Sequence, residues 1–411
     1  MGLIVKRLAE ARREYPSQFW LMFWGMLIST IGTSMIWPFL MVYLTKVHGY
    51  PLTRAALLLS TNAFTGLIFS FIAGPITDYT GRKRVMAFSL IALGGYYLLL
   101  SQAQEYYQFF LLMILGGSLM PLYRVGADAM MADLVPPEKR ADGYSLIRMA
   151  NNLGIAIGPM VGGFVAGASY TYAFLGAAIG LSSYGFLTLF LAHETLERNP
   201  SGRERGSERF AGYDRIFRDG RFVQFVLGTV GVTIAVQMMW SMLAVYTTRN
   251  YQLTESQYGW LPATNALMVV TLQFMITQFT KKRPTLLMMA AGGAVYTLGV
   301  FSVSLGSQFW HFWLSMVIFT LGELILVPTG TTHAANLAPA DMRGRYMSLY
   351  GLTWNVAQML GAPMGGLLSD NLGPKFIWYG SAVIGTLAVL FFLFLAGRER
   401  RAALPQVQDV A

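Results

Sequence analysis

From Pro16 to Thr45 the chain carries no charged residue, and the same holds from Leu57 to Thr77, Tyr106 to Tyr123, Phe222 to Thr248 and Ile377 to Gly397. A helix needs about 20 apolar residues to cross the hydrocarbon of a bilayer. Runs this long and this apolar mark an all-α integral membrane protein. Twelve spans are predicted, at 18–45, 55–78, 84–103, 106–134, 142–168, 171–192, 222–248, 256–280, 285–306, 309–336, 345–369 and 376–396. Composition agrees: 12% of residues are charged, against about 25% in a soluble domain.

The charges that remain lie mostly between spans. The two termini and the loops after even-numbered spans hold 24 Lys and Arg, whereas the other side has only Lys46, Arg54, Arg249 and Lys375. By the positive-inside rule both termini are cytoplasmic and the protein is a multi-pass protein of the cell membrane. The net charge of +10 is thus explained by topology, and no nucleic-acid partner is expected. The N-terminus lacks a short apolar core with a cleavage site, so the first span is the expected insertion signal. Zero cysteines exclude disulfides and thiolate metal centres.

The chain repeats itself at an offset of 203 residues. Trp37, Leu40, Val42 and Tyr43 fall on Trp240, Leu243, Val245 and Tyr246, and Thr61-Asn62-Ala63 falls on Thr264-Asn265-Ala266. Pro136, Arg140, Ser145-Leu146, Asn152, Gly158 and Gly162-Gly163 fall on Pro339, Arg343, Ser348-Leu349, Asn355, Gly361 and Gly365-Gly366. Six spans per half make the halves parallel repeats that can rock about a central site. The expected domains are a basic amphipathic N-terminus (1–15), a six-helix bundle (16–193), a polar linker (194–221), a second six-helix bundle (222–397) and a tail (398–411).

The loop after the second span reads Gly74-Pro-Ile-Thr-Asp78-Tyr-Thr-Gly81-Arg82-Lys83-Arg84. It resembles the signature of the major facilitator superfamily, with Tyr79 in place of a basic residue. The resemblance implies a gating role, with Asp78 meeting the N-terminal end of a span from the other half. Arg82, Lys83 and Arg84 also act as topology signals. The equivalent loop, Gln278 to Pro284, keeps the basic residues without the Gly and Asp. In the fifth span, Gly154, Gly158, Pro159, Gly162 and Gly163 resemble the motif of that family's drug:proton antiporter branch, and glycines four apart also suit close helix packing. Ala132 to Arg140 and Glu194-Thr195 fit the same branch. No basic residue stands near Met113, where that branch carries an arginine.

Charged groups within spans mark pathways or proton sites by default. Arg124 and Asp128 lie one turn apart and can pair, as proton-coupling groups or as a structural ion pair. Arg148 lies nearer the cytoplasmic end. Glu323 sits near the middle of the tenth span with no basic residue within a turn, which suits reversible protonation. Asn62, Asn152, Gln237, Asn265, Trp354, Asn355 and Gln358 are candidates for lining a substrate cavity or for interhelical hydrogen bonds. No P-loop, HExxH or clustered His and Asp appears, so neither an enzyme nor a cofactor or metal site is expected. The expected function is a monomeric secondary active transporter working by alternating access. Proton-coupled efflux of small amphipathic compounds is the first reading; a carrier for one metabolite, such as a sugar or organic ion, is the alternative.

Overall fold

The computed structural model describes residues 15–136, 139–196, 213–339 and 342–403. The predicted N-terminal surface helix lies, but for Tyr15, outside the described residues, as do the middle of the linker and the end of the tail. Twelve long helices account for nearly everything described, with no strand among the described residues. The first six are α1 (Ser17–Ile36), α2 (Leu52–Thr80), α3 (Arg82–Gln102), α4 (Tyr106–Leu134), α5 (Arg140–Ala168) and α6 (Tyr170–Leu191). The second six are α7 (Gly220–Asn250), α8 (Glu255–Thr280), α9 (Thr285–Ser302), α10 (Phe309–Leu337), α11 (Arg343–Leu372) and α12 (Phe376–Ala403).

The helix starts obey the repeat read from the sequence. Ser17, Leu52, Arg82, Tyr106 and Arg140 open α1 to α5, and the residues 203 positions later open α7 to α11. The starting signals repeat too. At α4, Glu105 and Gln108 form a reciprocal capping box that satisfies the free amides of the first turn; Gln308 and His311 do the same at α10. Eleven of the helices are long and apolar enough to cross a membrane. The remaining one, α11, has the length but carries Asn355, Gln358, Ser369, Asp370 and Asn371.

Apolar burial inside a bilayer gives helices little reason to associate, so close approach through small residues holds them. In each half the third helix packs against the fourth and the sixth: α3 on α4 and α6, α9 on α10 and α12. A methyl group at Gly94 would stand 3.0 Å from the Ala178 carbonyl oxygen of α6, and one at Gly322 would stand 2.8 Å from the Tyr296 Cα of α9. Such contacts admit no side chain.

Packing divides the chain into two compact units. One comprises residues 1–203 with 244–266, the other 204–243 with 267–411. Residues 244–266, which the repeat assigns to the second half, cluster with the first unit. Within the expected linker, Tyr213–Arg218 forms a six-residue helix directly before α7.

Candidate functional site

The turn between α2 and α3 is built around Gly81, whose φ of +104° lies in the region that side chains avoid. That conformation ends α2 and starts α3 with one residue between them. The first free amides of α3 are met from the end of α6: Glu194 accepts from Arg82 N at 3.0 Å through Oε1 and from Lys83 N at 3.3 Å through Oε2. Its Oε1 also accepts from the amides of Thr195 and Leu196. A carboxylate at a helix N-terminus satisfies donors and complements the dipole. Glu194 stands so near that a methyl group at Gly81 would be 2.5 Å from its Oε2. Arg82 turns inward, pairing with Asp133 of α4 and donating from Nη1 to the Ala129 carbonyl at 3.2 Å. Lys83, Arg84, His193 and Glu194 line a polar crevice of about 660 Å³ beside the turn. Asp78 is exposed in the last turn of α2, as is Tyr79. Gly74 lies one turn before Asp78 on the same helix.

Two of these roles escaped the sequence reading. Glu194 and Asp133 entered only as family-like residues; Glu194 finds its partners in the Arg82 and Lys83 amides and Asp133 in the Arg82 side chain, far away along the chain. Proximity at that separation is created by folding alone.

The glycines of α5 are packing residues in this structure. Methyl groups at Gly154 and Gly158 would stand 2.6 Å from Thr30 Cβ and 2.9 Å from the Ile31 carbonyl, while Gly162 is pressed on the Met35 backbone. The contact recurs in the second half: a methyl group at Gly361 would stand 3.0 Å from the Ile234 carbonyl, at the positions that Gly158 and Ile31 occupy in the first. Beyond α1, the stripe meets α8. Gly163 abuts the Glu255 carbonyl, and the Pro159 carbonyl would stand 2.7 Å from a methyl group at Gly259.

Glu255 opens α8 and is buried. Its Oε1 accepts from Lys46 Nζ at 2.9 Å and from the Tyr170 hydroxyl at 2.8 Å, all within the first unit. In the sequence Lys46 stands among the few basic residues of its side, and no motif marks Glu255. An acid opposite one of the rare cations on the sparsely charged side was the available signal.

Among the groups inside spans, Arg124 and Asp128 are exposed on one face of α4 and interact electrostatically. The Tyr144 hydroxyl donates to the Asp128 main-chain carbonyl at 3.2 Å. Arg148 is exposed on α5. Glu323 is half-buried on α10, and the buried Tyr296 of α9 is its electrostatic neighbour. Met113, where the antiporter branch has its arginine, is fully buried, and its carbonyl accepts from Asn62 Nδ2 at 3.1 Å. Asn62 therefore makes an interhelical bond. Of the other polar candidates, Asn152 and Asn265 lie in the first unit, and Gln237, Trp354, Asn355 and Gln358 in the second. Gln237 and Asn265 are buried, Trp354 is 44% exposed, and Asn152, Asn355 and Gln358 are half-buried.

Known proteins match this arrangement over its full length. The Major Facilitator Superfamily model matches residues 22–353 and again 225–409. MFS-type transporter YqjV of Bacillus subtilis is 26% identical, across 93% of this chain and 93% of its own. The Na(+), Li(+), K(+)/H(+) antiporter of Planococcus maritimus is 27% identical, across 87% of this chain and 89% of its own. Multidrug resistance protein MdtH of Yersinia pestis is 24% identical, across 94% and 96%. A bacterial homologue of the human lysosomal transporter Spinster has a TM-score of 0.78 over 92% of this chain and 96% of that one, at 13% identity, a likeness of fold. With twelve helices in a 203-residue repeat and a family match running from the first helix to the last, the chain belongs to the major facilitator superfamily of membrane transporters.

Proposed function

We propose that this transporter exports small amphipathic compounds in exchange for protons. It works by alternating access as a monomer in the cell membrane, with both termini cytoplasmic. The observation that carries the proposal is Glu323, an acid half-buried in the middle of α10 with the buried Tyr296 of α9 as its electrostatic neighbour. An ionisable group at that depth is expensive unless it is used, and a carboxyl there suits reversible protonation. Full-length likeness to a multidrug resistance protein and to a cation/proton antiporter supports the same chemistry. Asp78 acts as the gating carboxylate of the α2–α3 turn, and Arg124 with Asp128 forms the second candidate for coupling.

The likeness to the antiporter of Planococcus maritimus favours one second reading, in which the exported species is a monovalent cation. Purified protein in liposomes with an imposed pH gradient tests both. Under the first reading an amphipathic dye or drug is moved uphill, and Glu323→Gln abolishes uphill transport while substrate exchange persists. Under the second, Na+ or K+ collapses the pH gradient and amphipathic compounds do not move. Normal pH-driven accumulation by Glu323→Gln removes Glu323 as the proton carrier and turns attention to Asp128.

A further inference from the structure

The repeat gives a reference for what residues 244–266 would do in a symmetric molecule. Their counterparts, 41–63, pack with their own half, whereas 244–266 cluster with the half to which they do not belong by sequence. Something specific to this segment must hold them there. Shape supplies part of it: Gly163 and Gly259 let α5 and α8 touch backbone to backbone, and the rings of Phe39 and Tyr258 meet edge to face at 5.5 Å.

Charge supplies the rest. Glu255 offers a carboxylate, with a side chain only 10% exposed, to Lys46 and Tyr170. Both donors are prepared on the first unit's side. Lys46 projects from the π-helical turn Tyr43–Val47, and Tyr170 is held against Tyr43 of the same turn at 5.4 Å between ring centroids. The counterpart of Glu255 in the first half is Leu52, buried and apolar, and that of Tyr170 is Gly373. The three-residue contact is therefore no requirement of the fold. Nor is its charge retained cheaply: a buried carboxylate must keep its partner or be destabilising.

We infer that Lys46, Glu255 and Tyr170 form a clasp on the side opposite the basic loops, and that releasing it lets residues 244–266 leave the first unit when the transport pathway opens to that side. The inference rests on family membership and alternating access, not on the identity of the substrate or on proton coupling. A closed clasp favours the state in which 244–266 pack on the first unit, and opening exposes both charges to water, where they are solvated separately.

The chain has no cysteine, so Tyr172→Cys and Arg249→Cys, both at exposed positions, can carry spin labels without further changes. Distances between them are measured in the full-length protein in lipid nanodiscs. Glu255→Gln is expected to raise the long-distance population about fivefold, and Tyr170→Phe, which leaves the ion pair, to raise it less. Lys46→Met, changing a residue whose side chain is 57% exposed, gives the same direction and serves if Glu255→Gln fails to fold. Exchanging the charges, Lys46→Glu with Glu255→Lys, should return most of the short-distance population. Unchanged distances in folded single variants, or a charge exchange that restores nothing, would overturn the clasp. Loss of pH-driven efflux with the clasp response intact would sink the efflux reading alone.

Discussion

The two turns on the basic side, Gly74 to Arg84 and its repeat Thr277 to Leu287, begin alike and end differently. In both, a backbone amide closes the preceding helix on a threonine carbonyl at 3.0 Å: Gly81 N on Thr77, Lys281 N on Thr277. The next helix follows after one residue in the first turn and after four in the second. The first turn uses Gly81 at φ +104°, the second uses Pro284 at φ −57°, with Lys281, Lys282 and Arg283 before it. Around Gly81 gather two acids, Glu194 on the amides of α3 and Asp133 on Arg82. At the equivalent places the second half has the uncharged Gly397 and Asn336, and Arg82 itself becomes Thr285. Arg283 lies instead over the Phe279 ring, 4.1 Å from its centroid. Basic residues are thus kept in both turns, as orientation in the membrane requires. Among the described residues the carboxylates gather at one turn, so the charge network is specific to that turn and is not required by membrane topology.

The largest expected effect comes from breaking the pair that only the first turn has. With side chains 16% and 29% exposed, Arg82 and Asp133 are sheltered enough that removing either strands a charge, at about 2 kcal/mol. Arg82→Ala and Asp133→Ala should each lower the thermal midpoint and impair transport, and the double variant should lose less than their sum. Arg283→Ala in the second turn should cost about 0.5 kcal/mol, the worth of an exposed cation–π contact, and leave transport intact. Equal losses in the two turns would remove the distinction.

A smaller effect is expected at the pivot. Gly81→Ala must adopt a sparsely populated positive-φ conformation, costing on the order of 1 kcal/mol, and must also displace Glu194, whereas Pro284→Ala keeps an ordinary conformation and should change the midpoint little. Glu194→Gln sharpens the comparison least and most cleanly. The amide keeps one acceptor oxygen for the α3 amides but drops the charge, for a loss of about 0.5 kcal/mol. Raising the salt concentration should shrink that difference, since an exposed charge on a helix end is screened. A difference independent of salt would mean that Glu194 acts through hydrogen bonding alone.

Much of this was legible in the chain. The helix count, the repeat and the turn after α2 follow from uncharged stretches, from identities at a fixed spacing and from a compact motif, all of which are local or periodic. Arg140 and Arg343 were paired by the offset before either was seen to open a helix. What stayed illegible were roles that depend on partners far along the chain. Asn62 could be read equally as a cavity residue or as a helix linker, and only the structure shows its bond to the Met113 carbonyl of α4. Glu194 stood only as a family-like residue at the start of the linker, and its contact with the α3 amides exists only once α6 returns beside α3.

The sequence by itself determined twelve crossings, the positions at which most helices begin and the asymmetry of charge between the two sides. Each follows from the free energy of placing a residue type in water or in hydrocarbon, which needs no knowledge of neighbours. Only the tertiary structure decided that Glu255 meets Lys46 and Tyr170, that Arg82 meets Asp133, and that residues 244–266 pack with the half they do not belong to. Those outcomes depend on which surfaces come into contact with one another. Backbone contact at glycines and the pairing of buried charges set them, and both arise between helices rather than within them.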